Sequence, residues 1–101
     1  MTRAQQRAAA HWHHVHQVLQ AAAENPNGAA SVIDREGLTH PGVNVINDAN
    51  RLFMVSVGRT DSYAAEWLSD GRRTPATRAR ALRDAADTAY LIARALMDGD
   101  Q

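Results

Sequence analysis

The chain has 101 residues, enough for one small domain and too few for two. Its 11 basic residues, all arginine, balance 11 acidic ones, and it has no cysteine. Zero net charge excludes a global field that draws the molecule to nucleic acid or membrane, and the missing cysteines exclude disulfides, a thiol nucleophile and cysteine zinc sites.

Residues 1–25 are rich in Ala, Gln and Arg, which predicts a helix. It should stop at NPNG, where Asn25 precedes a proline and Gly28 is free to take positive φ. Residues 30–57 then shift to β-branched and aromatic types in three short runs, ASVID (30–34), VNVI (43–46) and RLFMVSV (51–57), separated by REGLTHPG and NDAN. That pattern predicts three strands, the last with Phe53, Val55 and Val57 on one face and Leu52, Met54 and Ser56 on the other. Residues 61–70 read as a short helix with Thr60 or Asp61 as N-cap and Gly71 as C-cap. A long helix follows over 75–97, opened by Thr74 as N-cap and Pro75 at its first position. The sequence therefore predicts a single α+β domain over residues 1–101 in the order α-β-β-β-α-α, a three-stranded antiparallel meander packed against long N- and C-terminal helices. On the last helix Leu82, Ala86, Ala89, Ala93 and Leu96 form one narrow stripe. Ala4, Ala8, Val15, Val18 and Ala22 offer a matching strip on the first, so the two long helices should meet closely.

HWHHVHQ, residues 11–17, holds four of the five histidines. At roughly 100° per residue they fall into two separated pairs, His11 with His14 and His13 with His16, and no arc holds three. Zinc needs three or four converging ligands, so no metal site and no cofactor are expected. His13, His14 and His16 read as a solvated face and His11 as bordering the core. Crowded imidazoles that titrate near neutrality also suit a pH switch.

GRRTPATRARALR brings together Arg72, Arg73, Arg78, Arg80 and Arg83 where the short helix meets the long one. These are the candidate contacts to a partner or to nucleic acid, in a segment with the outline of a helix-turn-helix. Asp84 and Asp87 follow Arg80 and Arg83 by four residues and would partly neutralise the patch. As cap-proximal surface charges, Arg72, Arg73 and Arg78 should be replaceable together without loss of the fold. The segment EWLSDGRRTPATRARAL resembles the core-binding region of tyrosine recombinases, in which a tryptophan-leucine helix precedes an RxTPxT turn. The resemblance covers less than a fifth of these 101 residues, which leave no room for a recombinase catalytic domain, so no activity is carried over.

No phosphate loop, nucleophile elbow or His-Glu metal pattern occurs. Asp34, Glu36 and His40 crowd what reads as the loop after the first strand, the raw material of acid–base catalysis but also ordinary turn composition. Ser31, Ser56 and Ser62 have no spacing that ties them to His40. The N-terminus carries no signal-peptide run and no membrane-spanning stretch occurs, so the expected location is the cytoplasm. The expected function is that of a small non-enzymatic binding or regulatory module, an accessory protein of the kind phages encode, that recognises another protein and forms a homodimer. Leu91 lies off the apolar stripe and Trp12 at the edge of an alanine-rich helix, which makes both candidate self-association residues. The alternatives are a nucleic-acid-binding protein using Arg72–Arg83 and, third, an enzyme around Asp34–His40.

Overall fold

In the computed structural model of the protein, residues 2–37, 43–59 and 63–98 are described, with side chains for all of these except 34–37 and 43. Helix α1 runs Arg3–Glu24 and begins in a capping box: the Thr2 hydroxyl accepts from Gln5 N–H at 3.1 Å and the Gln5 amide oxygen accepts from Thr2 N–H at 2.8 Å. Two orphan donors of the first turn are thereby satisfied. The helix ends at Asn25, before Pro26, as the sequence predicts. Gly28 does not use positive φ there; its value is close approach, since a Cβ would stand 2.7 Å from the Asn25 side-chain amide.

The predicted strands are helices. Residues Ala29–Gly37 form α2 and Val43–Ser56 form α3, followed by a short α4 at Ala64–Leu68 and a long α5 at Pro75–Asp98. The fold is a five-helix arrangement with no strand among the described residues, so the α+β meander is overturned. Burial shows why. Ala29 and Ile33 on α2, and Ile46, Ala49 and Phe53 on α3, are buried at spacings of three and four, which is the period of a helix. The supposed strand face of Phe53, Val55 and Val57 does not exist: Val55 is 61% exposed, whereas the adjacent Phe53 and Met54 are both buried. The β-leaning composition is worth only a few tenths of a kcal/mol per residue, and a helical stripe buried against α1 outweighs it.

Gly58 supplies the stop for α3. It has φ +75°, its N–H donates to Val55 O at 3.1 Å, and Arg59 N–H donates to Met54 O at 2.9 Å. This is the Schellman pattern that ends a helix, in a place where the sequence reads as the end of a strand. The expected turn residues NDAN lie inside α3 and hold it to its neighbours. Asn50 Nδ2 donates to Ile46 O at 2.9 Å, and its Oδ1 accepts from Ala64 N–H at 3.3 Å, so α3 caps α4. The N-cap position of α4 is Tyr63 and its C-cap is Ser69, not Gly71; Thr60 and Asp61 lie outside the described residues. At α5 the expectation holds, with Thr74 Oγ1 accepting from Thr77 N–H at 3.1 Å ahead of Pro75.

Helices α1 and α5 run antiparallel: His16 meets Ala86 and Tyr90, while Gln6 and Ala9 share a groove with Ala93 and Met97. The side chains of Ala85, Ala86 and Ala89, all fully buried, are small and put little bulk between the two helices. Helices α2 and α3 pack onto the segments Val15–Ala23 and Leu82–Ala89 of this pair, and α4 packs on α2 and α3. There Phe53, Leu19, Ile33, Leu82 and Val15 fill the core and Phe53 meets Trp67 edge-to-face. The remaining halves of α1 and α5 extend past that core, and the molecule measures 46 × 26 × 25 Å.

Candidate interaction surface at the paired ends of α1 and α5

Beyond the level of His16, the only residues buried between α1 and α5 are Ala9 and Ala93, among the described residues. Two alanines cannot close a helix pair, and an open groove of about 650 Å³ runs between Ala9, Ala10 and His13 on one side and Tyr90, Ala93 and Met97 on the other. Tyr90 is 43% exposed and Met97 55%, with Leu91 at 62% on the outer side of α5. Exposed large apolar side chains that line one groove, as Tyr90 and Met97 do, mark an interaction site more often than isolated ones do. Its charged members are Arg94 and Asp98, which face each other at 3.8 Å. Leu91 is thus exposed where the wheel puts it. Trp12 is half-buried, packed on the core cluster of its own chain with its ring edge against His11, so it contributes less free surface than Leu91.

The four histidines divide differently from the wheel. His13 and His14 are exposed. His11 joins α1 to α3, its Nε2 lying 2.6 Å from Asp48 Oδ2, with Arg51 3.8 Å from the other carboxylate oxygen. His16 is not solvated: it is half-buried, its Nδ1 donates to Ala86 O at 2.8 Å, and its ring leans on Tyr90. A histidine bonded to a main-chain carbonyl joins the helices rather than offering a free face. No group of three or more His, Asp or Glu is placed to hold a metal among the described residues.

The arginines are organised by an acid just outside the window that holds them. Asp70 accepts from Arg72 Nε at 3.1 Å and Nη2 at 2.9 Å, from Arg72 N–H at 3.0 Å, and from Arg73 Nη1 at 2.8 Å. The bonds from Arg72 hold the Asp70 carboxyl far below the usual carboxylate range, and the same pairing raises Arg72. Arg73 also stacks its guanidinium 4.1 Å from the centre of the Trp67 ring. Arg78 Nη2 donates to Arg73 O at 2.8 Å and Asp70 O at 3.2 Å, satisfying carbonyls of the α4–α5 turn. Arg73 and Arg78 are therefore half-buried parts of the turn, and replacing them with Arg72 is expected to loosen it rather than leave the fold untouched. Arg80 and Arg83 alone of the five stand outward without such partners, beside Asp84 and Asp87.

Asp70→Asn tests this hub. The variant should unfold at a lower temperature than the wild type at pH 7. A group whose folded-state pKa is lowered stabilises fully above its unfolded value, near pH 4, and progressively less as the pH falls below it. The gap in thermal midpoint should thus narrow below about pH 4, as followed by circular dichroism. A gap independent of pH would show that the carboxylate charge is not what holds the turn.

The third constellation dissolves as a loop. Asp34 and Glu36 belong to helix α2, with side chains outside the description, and His40 lies outside the described residues. Ser31 is exposed on α2, Ser56 Oγ donates to Phe53 O at 2.7 Å, and Ser62 lies outside the described residues. No helix among the described residues is long and apolar enough to cross a membrane. Searches against protein families, curated proteins and solved structures find no match to this chain.

Proposed function

We propose that this protein is a small non-enzymatic binding module that acts by protein–protein recognition as a homodimer, joined through the paired ends of α1 and α5. The observation that carries this reading is the open groove of about 650 Å³ between two helices whose own contact there is made by alanine, rimmed by exposed Tyr90 and Met97. A second copy of the same pair supplies what the groove lacks, two more helices, and completes a four-helix bundle of ordinary proportions. Its charges fit a two-fold axis as well. Arg94 and Asp98 carry opposite signs on one patch, so bringing two identical patches together sets each charge near its opposite and accumulates no net charge. Arg73 and Arg78 are half-buried against Asp70, Trp67 and main-chain carbonyls, which makes them less available to nucleic acid than the exposed Arg72, Arg80 and Arg83.

Sedimentation velocity at tens of micromolar protein tests the proposal. The wild type is expected to run as a dimer. Met97→Asp and Leu91→Asp each place two carboxylates in a symmetric interface and remove two apolar side chains worth about 1.5–3 kcal/mol apiece. Either substitution should weaken the dimer by at least about a hundredfold with helical content unchanged. A monomeric wild type at these concentrations refutes the reading.

A further inference from the structure

We infer that the association is switched by pH through His13 and His16, an inference that rests on the homodimer reading above. His13 lines the groove, and His16, one turn further on, stacks its ring on that of His13 with centres 5.9 Å apart and planes 29° from parallel. His16 Nδ1 keeps its hydrogen in either charge state, because its partner, Ala86 O, only accepts. A second proton on His16 therefore goes to Nε2, and the bond that joins α1 to α5 survives it. The fold is built to tolerate the charge; the groove is not.

The polar and charged groups that line the groove with His13 are Gln6 on α1 and Tyr90, Arg94 and Asp98 on α5, while next to Ala86 and Tyr90, the α5 residues that His16 meets, the same helix carries Arg83 and Asp87. Among the described residues Asp98 is the one acid that lines the groove, and Arg94 stands 3.8 Å from it. At neutral pH the patch carries one positive and one negative charge. A proton on His13 leaves it positive, and a proton on the stacked His16 adds a like charge beside the first. Burying two such patches against each other desolvates imidazolium ions in a groove whose one lining carboxylate, among the described residues, already stands beside an arginine. The dimer thus binds fewer protons than two monomers, and by linkage its affinity is full above the range in which histidines titrate and falls as the pH drops through it.

Sedimentation velocity of the full chain at pH 7.5 and 5.5, at one ionic strength, reads the effect, with circular dichroism following the fold at both. If each chain must shed one proton to pair, the dissociation constant should rise on the order of a hundredfold at one pH unit below the usual histidine range. His13→Gln should reduce that rise to tenfold or less while the dimer at pH 7.5 persists. A wild-type dimer equally tight at both pH values, or a His13→Gln dimer with the full pH dependence, overturns the switch and leaves the dimer reading standing. Loss of helix at pH 5.5 also overturns it, by assigning the change to unfolding. A wild type that is monomeric at pH 7.5 removes the dimer reading, and the switch with it.

Discussion

Phe53→Ala is expected to lower the unfolding free energy by about 3–5 kcal/mol, the range for truncating a buried aromatic side chain. Phe53 is fully enclosed on α3, and its ring edge contact with Trp67 ties α3 to α4. The surrounding core is rich in alanine, and alanines cannot collapse into a cavity as a longer side chain can, which puts the cost toward the upper end. Small domains hold about 5–15 kcal/mol in total. The variant should therefore lose much of its cooperative unfolding transition in urea, and a midpoint shift under 1 M would show that α3 is not anchored by this residue.

Ala89→Leu is the second large effect, and it acts in the opposite sense. Ala86 and Ala89 are fully buried on the face of α5 that meets α1, where His16 bonds to Ala86 O. Three extra heavy atoms cannot be absorbed by rotating a neighbour, so the helices must separate, at a cost of about 1–3 kcal/mol or more for overpacking. Separation would also lengthen the bond from His16 to Ala86 O, now 2.8 Å. A thermal midpoint lowered by several degrees is expected, with faster amide exchange along both long helices. The control is Val55→Ala, which truncates a 61% exposed side chain on α3 and should change stability by no more than about 0.5 kcal/mol. Equal effects of the two substitutions would mean that the α1–α5 contact is not the tight one.

The sequence by itself determined the two long helices and the buried face of α5, whereas on α1 the expected strip of Ala4, Ala8, Val15, Val18 and Ala22 is displaced: Ala9, Val15, Leu19, Ala22 and Ala23 are buried and Ala4 is exposed. Thr2 with Gln5, Asn25 before Pro26, and Thr74 before Pro75 are local signals, and local signals survive any tertiary context because their partners lie within four residues. The Leu82–Ala86–Ala89–Ala93 stripe is legible for the same reason, being repeated over several turns. The exposure of Leu91 follows from its angle on that wheel. Residues 29–57 were different. Runs of four to seven apolar residues fit a strand and a buried helix equally well, and β-branched composition tips the reading toward strand by less than the burial of Ile33, Ile46 and Phe53 tips the chain toward helix. Gly58 was the available signal, since a glycine directly after an apolar run is as good a helix stop as a strand end.

Only the tertiary structure decided which polar residues were already engaged. Asp48 and His11 are 37 positions apart and His16 and Ala86 are 70 apart, so no spacing announces either pair. Asp70 lies within eight residues of Arg72, Arg73 and Arg78, yet sequence alone gives a cluster of positive charge where the folded turn closes those side chains around one carboxylate and three carbonyls. The groove at the ends of α1 and α5 was hidden for a further reason. Alanine is at once a strong helix former and a small side chain, so the pattern that predicts two helices meeting closely says nothing about where that contact runs out. It runs out past Ala9 and Ala93, beyond the core around Val15 and Ala89 and beyond the pairing of α3 with α1 at Asp48 and His11.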